Sequence, residues 1–183
     1  MAMSVYGKLK EEYGTFLRAA GRDPDEVRWP FRRSYGIDFP GVKRVETVFV
    51  AIGPPTEPGR YFYNPQGTDF LRSKLLALLA AHDEELKDSL NGGPKRSLEV
   101  FLKRYYLTDA FKEGMEGASM ELLNELLGKE IATLSPRLVV SFGEHALARL
   151  RKWIVEEETD FMRLLHLKID GRTFELIPTY FPR

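Results

Sequence analysis

The chain has 183 residues, 43% of them hydrophobic, which suits one well-filled core and therefore a single domain spanning residues 1–183. It contains no cysteine, which excludes disulfides, thiolate zinc sites and iron–sulfur clusters and is typical of a reducing compartment. The 27 basic and 27 acidic side chains cancel, which excludes the global positive field that drives nonspecific nucleic-acid binding.

Neither a signal peptide nor a membrane span is predicted. The segment from Met1 to Lys10 lacks the apolar core of a signal peptide, and no run of the sequence approaches the length needed to cross a bilayer. We therefore expect a cytoplasmic protein that does not bind membranes.

The N-terminal part, residues 1–44, is predicted to be a helix followed by an ordered loop that packs on it. Apolar residues recur at helical spacing over residues 4–20, and Gly21 ends the pattern. From Arg22 to Arg44, Asp-Pro, Trp-Pro and Phe-Pro-Gly signals indicate a loop. Its arginines form either a solvated rim or a phosphate-binding surface.

Strands and helices alternate in the rest of the chain. Strands are predicted at 47–52, 104–109, 137–142 and 172–177, and helices at 68–79, 97–103, 122–134 and 144–155. The dipeptide Asp170-Gly171 predicts a hairpin between residues 161–169 and the last strand. The pattern predicts the α/β class, with a three-layer α/β/α sandwich around a central, mainly parallel four-stranded sheet.

Four loops are expected at the carboxyl edge of this sheet, where open α/β sheets bind their ligands. They are the Pro-rich loop after the first strand, Thr108-Asp109, Gly143-Glu144 and the terminal segment 178–182. The first strand and its loop, residues 48–65, are predicted to form the floor and lid of a small pocket for a flat ligand.

Aromatic and amide side chains in the first loop are candidates for binding this ligand. Phe62 either stacks on an extruded base or fills the core. Asn64 offers a donor and an acceptor, although Asn before Pro is also ordinary loop chemistry.

Two carboxylates are candidates for catalysis. Asp109, at the tip of an apolar strand, can accept two hydrogen bonds from a base edge or act as a general base; alternatively it caps a helix or pairs with Lys112. Glu57 is the carboxylate near the first strand end that could activate water, and a solvated surface role is its alternative.

Metal and cofactor chemistry is not expected. His82, His145 and His166 share no metal-binding spacing. The sequence also lacks a dinucleotide-binding glycine motif, a P-loop and a Gly-x-Ser-x-Gly nucleophile turn.

Five segments, in their order along the chain, resemble the uracil-DNA glycosylase superfamily. Val-Phe-Val-Ala-Ile-Gly-Pro-Pro at 48–55 looks like its first motif, and Gly-Arg-Tyr-Phe-Tyr-Asn-Pro-Gln-Gly-Thr-Asp-Phe-Leu at 59–71 is similar to the segment that follows in the mismatch-specific branch. Tyr-Leu-Thr-Asp at 106–109, Pro-Arg-Leu-Val-Val-Ser-Phe-Gly-Glu-His-Ala-Leu at 136–147 and Pro-Thr-Tyr-Phe-Pro at 178–182 resemble later motifs. The pattern is most similar to the mismatch-specific and thermophilic branches and covers about residues 45–183.

The resemblance implies a role for each matching position. Phe62 would stack on the base, and Asp109 would take the base-recognising position. Gly53 stands where the superfamily has a water-activating Asn or Asp, although one branch has Ala there. Tyr180 or Phe181 replaces the histidine that stabilises the leaving base. Candidate base contacts are thus Phe62, Asn64, Gly53, Pro54, Tyr180 and Phe181, and candidate contacts to the DNA backbone are Arg60, Lys112, Gly143 and Arg183.

The leading hypothesis is a monomeric DNA glycosylase-like hydrolase that acts on a damaged or deaminated base through local contacts with DNA and without a cofactor. Because an ionised Asp109 only accepts hydrogen bonds, bases that present two donors are favoured over uracil unless the carboxyl group is protonated. One alternative is a catalytically inactive module that binds nucleic acid or a nucleotide. Another is a small-molecule α/β enzyme unrelated to DNA.

Overall fold

The structure, a computed structural model, describes residues 3–25, 29–53, 60–111 and 119–181. Its helices are α1 (Val5–Ala19), α2 (Phe70–Ala80), α3 (Glu84–Ser89), α4 (Gly93–Phe101), α5 (Met120–Leu134) and α6 (Gly143–Leu150). Its strands are β1 (Thr47–Ala51), β2 (Tyr105–Asp109), β3 (Leu138–Phe142), β4 (Leu165–Ile169) and β5 (Arg172–Thr179). The α/β class predicted from the sequence is confirmed.

Side-chain caps fix where several helices begin. Ser4 accepts a hydrogen bond from Gly7 N, and Asp83 and Ser119 accept equivalent bonds at the starts of α3 and α5. Asp69 caps α2 in the same way by accepting from Arg72 N. Each cap satisfies a backbone N–H that has no partner inside its helix.

The strands of the described residues form one five-stranded sheet in the order β2-β1-β3-β5-β4. The first four in this order are parallel, and β4 is antiparallel to β5. The four-stranded count expected from the sequence is therefore corrected to five. The added strand belongs to the predicted hairpin: Asp170 (φ 49°) and Gly171 (φ 76°) form its turn and fold β4 against β5.

Helices pack on both faces of the sheet because successive side chains of a strand point in opposite directions. Tyr106 contacts Tyr6 of α1, with ring centroids 6.1 Å apart, and donates a hydrogen bond to Glu130 of α5. Phe49 points to the other face, where its ring lies 6.4 Å from that of Phe101 in α4. The central strand β1 is thus buried on both sides.

The loop that follows α1 packs back on that helix through aromatic rings. Tyr13 lies 5.6 Å from Trp29 and 6.4 Å from Phe31, and Tyr6 lies 5.2 Å from Phe39.

In the part of the chain that the structure describes, no helix combines the length and the apolar character needed to cross a membrane.

Candidate functional site at the carboxyl edge of the sheet

The carboxyl ends of the four parallel strands meet at one edge. Asp109 pairs in register with Ala51, and Phe142 pairs with Thr179. The pairing of the first two strands continues into their loops, where Phe111 N donates to Ile52 O at 2.9 Å. The parallel topology thus brings the predicted residues Gly53, Asp109, Gly143 and Tyr180 to the same side of the molecule.

Asp109 is half-buried and lies close to two buried tyrosines. Burial raises the pKa of Tyr61 and Tyr63 well above 10.0, and the negative charge of Asp109 raises both further. The carboxylate of Asp109 is therefore close enough to Tyr61 and Tyr63 to influence them, and both tyrosines stay protonated at neutral pH. Lys112, the alternative partner of Asp109 that the sequence offered, lies outside the described residues.

The loop that carries these tyrosines is held by one buried arginine. Arg72 Nη1 donates to Phe62 O at 3.0 Å and to Asn64 O at 2.6 Å, and Nη2 donates to Gly67 O. Burial lowers the pKa of Arg72, and the charge of Asp69 opposes this effect. The side-chain oxygen of Asn64 accepts from Gln66 N at 3.1 Å, so it is used in the turn of the loop.

Phe62 lies inside the protein. It is 3% exposed, and its ring lies 5.3 Å from that of Phe101 and 4.9 Å from that of Tyr63. This is the core-filling role that the sequence left open as an alternative. A base could stack on Phe62 only after the ring moved away from Phe101.

The terminal aromatics are exposed at the same edge. Tyr180 is 69% exposed and stacks on Phe161 with ring centroids 4.8 Å apart and an angle of 13° between the planes. Phe181 is 45% exposed and makes an edge contact with Phe142 at 6.1 Å. Phe142 in turn stacks on Phe49 at 5.7 Å, which continues the aromatic contacts into the core.

Gly53 lies beside a residue that the sequence analysis missed. A Cβ atom placed at Gly53 would lie 3.5 Å from Phe111 Cβ, which is ordinary van der Waals contact. Phe111 is 36% exposed, and the guanidinium carbon of Arg149 lies 4.9 Å from its ring centroid. The sequence could have indicated Phe111 by its position, because it places an apolar ring in the loop directly after Asp109-Ala110.

A buried carboxylate behind this edge was also missed. Glu130 is fully buried in α5 and accepts from Thr108 Oγ1 at 2.8 Å and from Tyr106 Oη at 3.3 Å. The sequence could have indicated its burial, because at helical spacing Glu130 lies on the same face of α5 as the buried residues Leu123, Leu126, Leu127, Ile131 and Leu134. Thr108 therefore links the inner carboxylate to the strand that ends in Asp109.

Of the remaining predicted site residues, two lie within the described part of the chain and four lie outside it. Gly143 begins α6 with a positive φ of 79°, and Arg60 lies exposed at the start of the loop that Arg72 holds. Pro54, Glu57, Lys112 and Arg183 lie outside the described residues. Among the residues that the structure describes, no group of three or more His, Asp or Glu side chains could hold a metal ion.

The resemblance to the uracil-DNA glycosylase superfamily stays a prediction from the sequence motifs. No protein-family model matches the chain, and no curated protein matches it.

Proposed function

We propose that the carboxyl edge of the sheet binds a nucleobase extruded from DNA and that the protein hydrolyses the N-glycosidic bond of a damaged or deaminated base. The observation that carries the proposal is the register of β1 and β2, which pairs Asp109 with Ala51, two residues before Gly53. Both segments resemble motifs of the uracil-DNA glycosylase superfamily. The proposal includes the three-layer α/β/α architecture of such a domain, acting as a monomer in the cytoplasm.

In this proposal Asp109 recognises the base. An ionised carboxylate offers only acceptors, so it pairs with the N–H donors of a base. Xanthine has two on its six-membered ring, N1–H and N3–H, one on each side of the C2 carbonyl group, whereas uracil in DNA has one, N3–H. Xanthine, a purine deamination product, therefore offers Asp109 two places to bind and is the favoured substrate.

The proposed reaction adds water across the glycosidic bond. A bond forms between the water oxygen and C1′ of the sugar, the bond between C1′ and the base nitrogen breaks, and its electron pair leaves with the base. A carboxylate takes the proton of the water, and the departing base gains a proton from solvent. Because Asp109 is assigned to the base in this proposal, Glu57 is the candidate for the carboxylate that takes the proton; Asp109 is the alternative if it contacts the water instead of the base.

A second function is noncatalytic binding of a nucleobase by the same edge. Gly53 favours it, because this position has no side chain to orient water where the superfamily has Asn or Asp.

Single-turnover incubation with oligonucleotides separates these functions. Duplex and single-stranded DNA carrying uracil, hypoxanthine or xanthine is incubated with the wild-type protein, Asp109→Asn and Asp109→Ala, and abasic product is measured. Asp88→Ala, which removes an exposed carboxylate on α3, is the matched control. Product that is lost in both Asp109 variants supports hydrolysis, binding without product supports the second function, and no binding of any oligonucleotide contradicts both.

A further inference from the structure

We infer that Phe111, held by Arg149, is the stacking platform for the planar ligand of this edge. The inference rests on the proposed function and assigns the ring that would hold the base. Phe111 comes two residues after Asp109 and lies in contact distance of the position that a side chain at Gly53 would occupy. A base recognised by Asp109 therefore has this ring as a neighbour.

Exposure distinguishes Phe111 from the ring that the sequence predicted. Phe111 keeps 36% of its surface exposed, whereas Phe62 keeps 3%. Stacking needs a ring face that a ligand can cover without unpacking the core. Phe111 is the more accessible of the two residues in the folded state.

Arg149 holds the platform in place. Its guanidinium carbon lies 4.9 Å from the ring centroid of Phe111, within the range of a cation–π contact. The same guanidinium donates from Nη2 to Met120 O at 3.3 Å and from Nη1 to Met120 Sδ at 3.5 Å, which fixes its position against the start of α5. Burial lowers the pKa of Arg149, in keeping with a cation packed against apolar groups.

The backbone also fixes where the platform stands. Ala110 N donates to Ala51 O at 2.8 Å and Phe111 N donates to Ile52 O at 2.9 Å, so the chain after β2 stays hydrogen-bonded to the chain after β1. The ring is therefore positioned by both neighbouring segments of the site. A platform of this kind would accept different bases, because every base has a π face, while Asp109 would supply the selectivity.

The test measures binding of a single-stranded oligonucleotide that carries xanthine, hypoxanthine or uracil, and of the same oligonucleotide with an abasic analogue at that position. We expect Phe111→Leu to bind the base-containing oligonucleotides about 5- to 150-fold more weakly, the range that corresponds to the loss of one stacked base. Binding of the abasic oligonucleotide should not change, because it has no base to stack. Leu keeps an apolar side chain, so folding is preserved, and thermal unfolding checks this.

Two further variants make the test specific. Phe70→Ala is the matched control, since Phe70 is also exposed, at 58%, and lies beneath a cation, with Lys74 Nζ 5.4 Å from its ring centroid. It should bind every oligonucleotide as the wild type does. Phe111→Trp should retain affinity, and its added indole fluorescence should be quenched by the base-containing oligonucleotide but not by the abasic one.

The outcomes separate the platform from the function on which it rests. If Phe111→Leu binds the base-containing oligonucleotides as tightly as the wild type does, Phe111 is not the stacking platform, but the proposed function still stands. Weaker binding in Phe111→Leu without any abasic product from the wild type would support the platform and contradict hydrolysis. If the wild type binds none of the base-containing oligonucleotides more tightly than the abasic one, the platform and the proposed function both fail.

Discussion

The hydroxyl group of Tyr63 occupies both hydrogen-bonding positions of Leu107 on the free edge of β2. It accepts from Leu107 N at 2.8 Å and donates to Leu107 O at 2.9 Å. A second hydroxyl acts on the same strand, where Tyr6 donates to Tyr105 O at 3.3 Å. Side chains thus satisfy main-chain groups that another strand would satisfy in the middle of a sheet, and they leave this buried edge closed to pairing with a further strand.

Replacing Tyr63 by Phe tests this relationship. The ring stays, but Leu107 N and O lose their partner inside the protein, so we expect the free energy of unfolding to fall by about 1–3 kcal/mol. Urea titration measures the change, and hydrogen exchange at the Leu107 amide should accelerate. Tyr180→Phe, which removes an exposed hydroxyl, is the control and should change stability by less than about 0.5 kcal/mol. Equal stability of Tyr63→Phe and the wild type would show that the edge does not depend on the hydroxyl.

Thr108→Val tests the buried hydrogen bond to Glu130. The substitution keeps the shape of the side chain but removes a donor that lies 2.8 Å from both carboxylate oxygens, so we expect a loss of about 1–3 kcal/mol in the free energy of unfolding. Thr133→Val is a matched control because Thr133 donates to Glu12 at 2.7 Å in an exposed position. Its effect should stay within about 0.5 kcal/mol. Similar losses in the two variants would contradict a special role for the buried pair.

Two glycine substitutions in helices should have opposite effects. A Cβ atom at Gly128 in α5 would lie 2.7 Å from Trp153 Cζ2, so Gly128→Ala must displace a rigid ring and should destabilise the protein by about 1–3 kcal/mol. At Gly7 in α1 the added atom would meet Met3 Cγ at 2.7 Å, in a flexible side chain that can move. Gly7→Ala should therefore be neutral or stabilise by up to about 1 kcal/mol through helix propensity. Thermal unfolding of both variants checks the contrast, which would be refuted by equal shifts.

The carboxylate of Glu156 should make stability depend on pH. It accepts from His166 N at 2.9 Å and lies 2.7 Å from His166 Nδ1, and these hydrogen bonds, chiefly the backbone one, lower the pKa of Glu156 below its usual 4.5. A carboxylate with a lowered pKa in the folded state contributes stability above its unfolded pKa and loses this contribution as the pH falls through the folded value.

The variant Glu156→Gln should therefore be less stable than the wild type at neutral pH, and the difference should shrink as the pH falls below 4.5. Urea unfolding at a series of pH values between neutral and strongly acidic measures it. Glu157→Gln, at the exposed neighbouring position, controls for the removal of one charge. A constant difference between Glu156→Gln and wild type across the series would contradict the assigned hydrogen bonds.

Gly53→Asn should increase hydrolysis if this position is where water is oriented. The backbone of Gly53 does not need a positive φ, and an added Cβ meets Phe111 Cβ at 3.5 Å without a clash. A side chain that positions the attacking water contributes about 10²- to 10⁴-fold in rate, so we expect a gain of at least about tenfold in single-turnover cleavage. Gly53→Ala adds the Cβ atom without the amide and should give no gain. Equal rates for the two variants would place the water elsewhere.

Strand positions were predictable because burial on both faces demands continuous apolar runs. Such a run predicted β1 at residues 47–52, against the observed Thr47–Ala51. The helix α3 was missed, since its six residues are too few to show a helical period, and Asp83 as a cap was its main signal. The predicted start of the fourth helix, at residue 97, was wrong: α4 begins at Gly93, because Pro94 fits the first turn of a helix, where no N–H is needed.

The aromatic residues of the site show why the sequence could not place every side chain. Phe62 and Phe111 both follow strands and both lie in loops, so local pattern does not separate them. Their difference arises from distant partners: Phe101 of α4 covers Phe62, and Arg149 of α6 lies over Phe111. Burial of a loop residue depends on such long-range contacts, which sequence periodicity does not encode.

Arg72 gives the loop from Phe62 to Gly67 an anchorage that does not depend on the loop's own side chains. The guanidinium donates to main-chain oxygens of Phe62, Asn64 and Gly67, which any residue would supply. The half-buried Pro65 and the exposed Gln66 can therefore change while these hydrogen bonds persist. Positions 65 and 66, which follow the buried Phe62 and Tyr63, are consequently natural places to vary the sequence when altering what the protein binds.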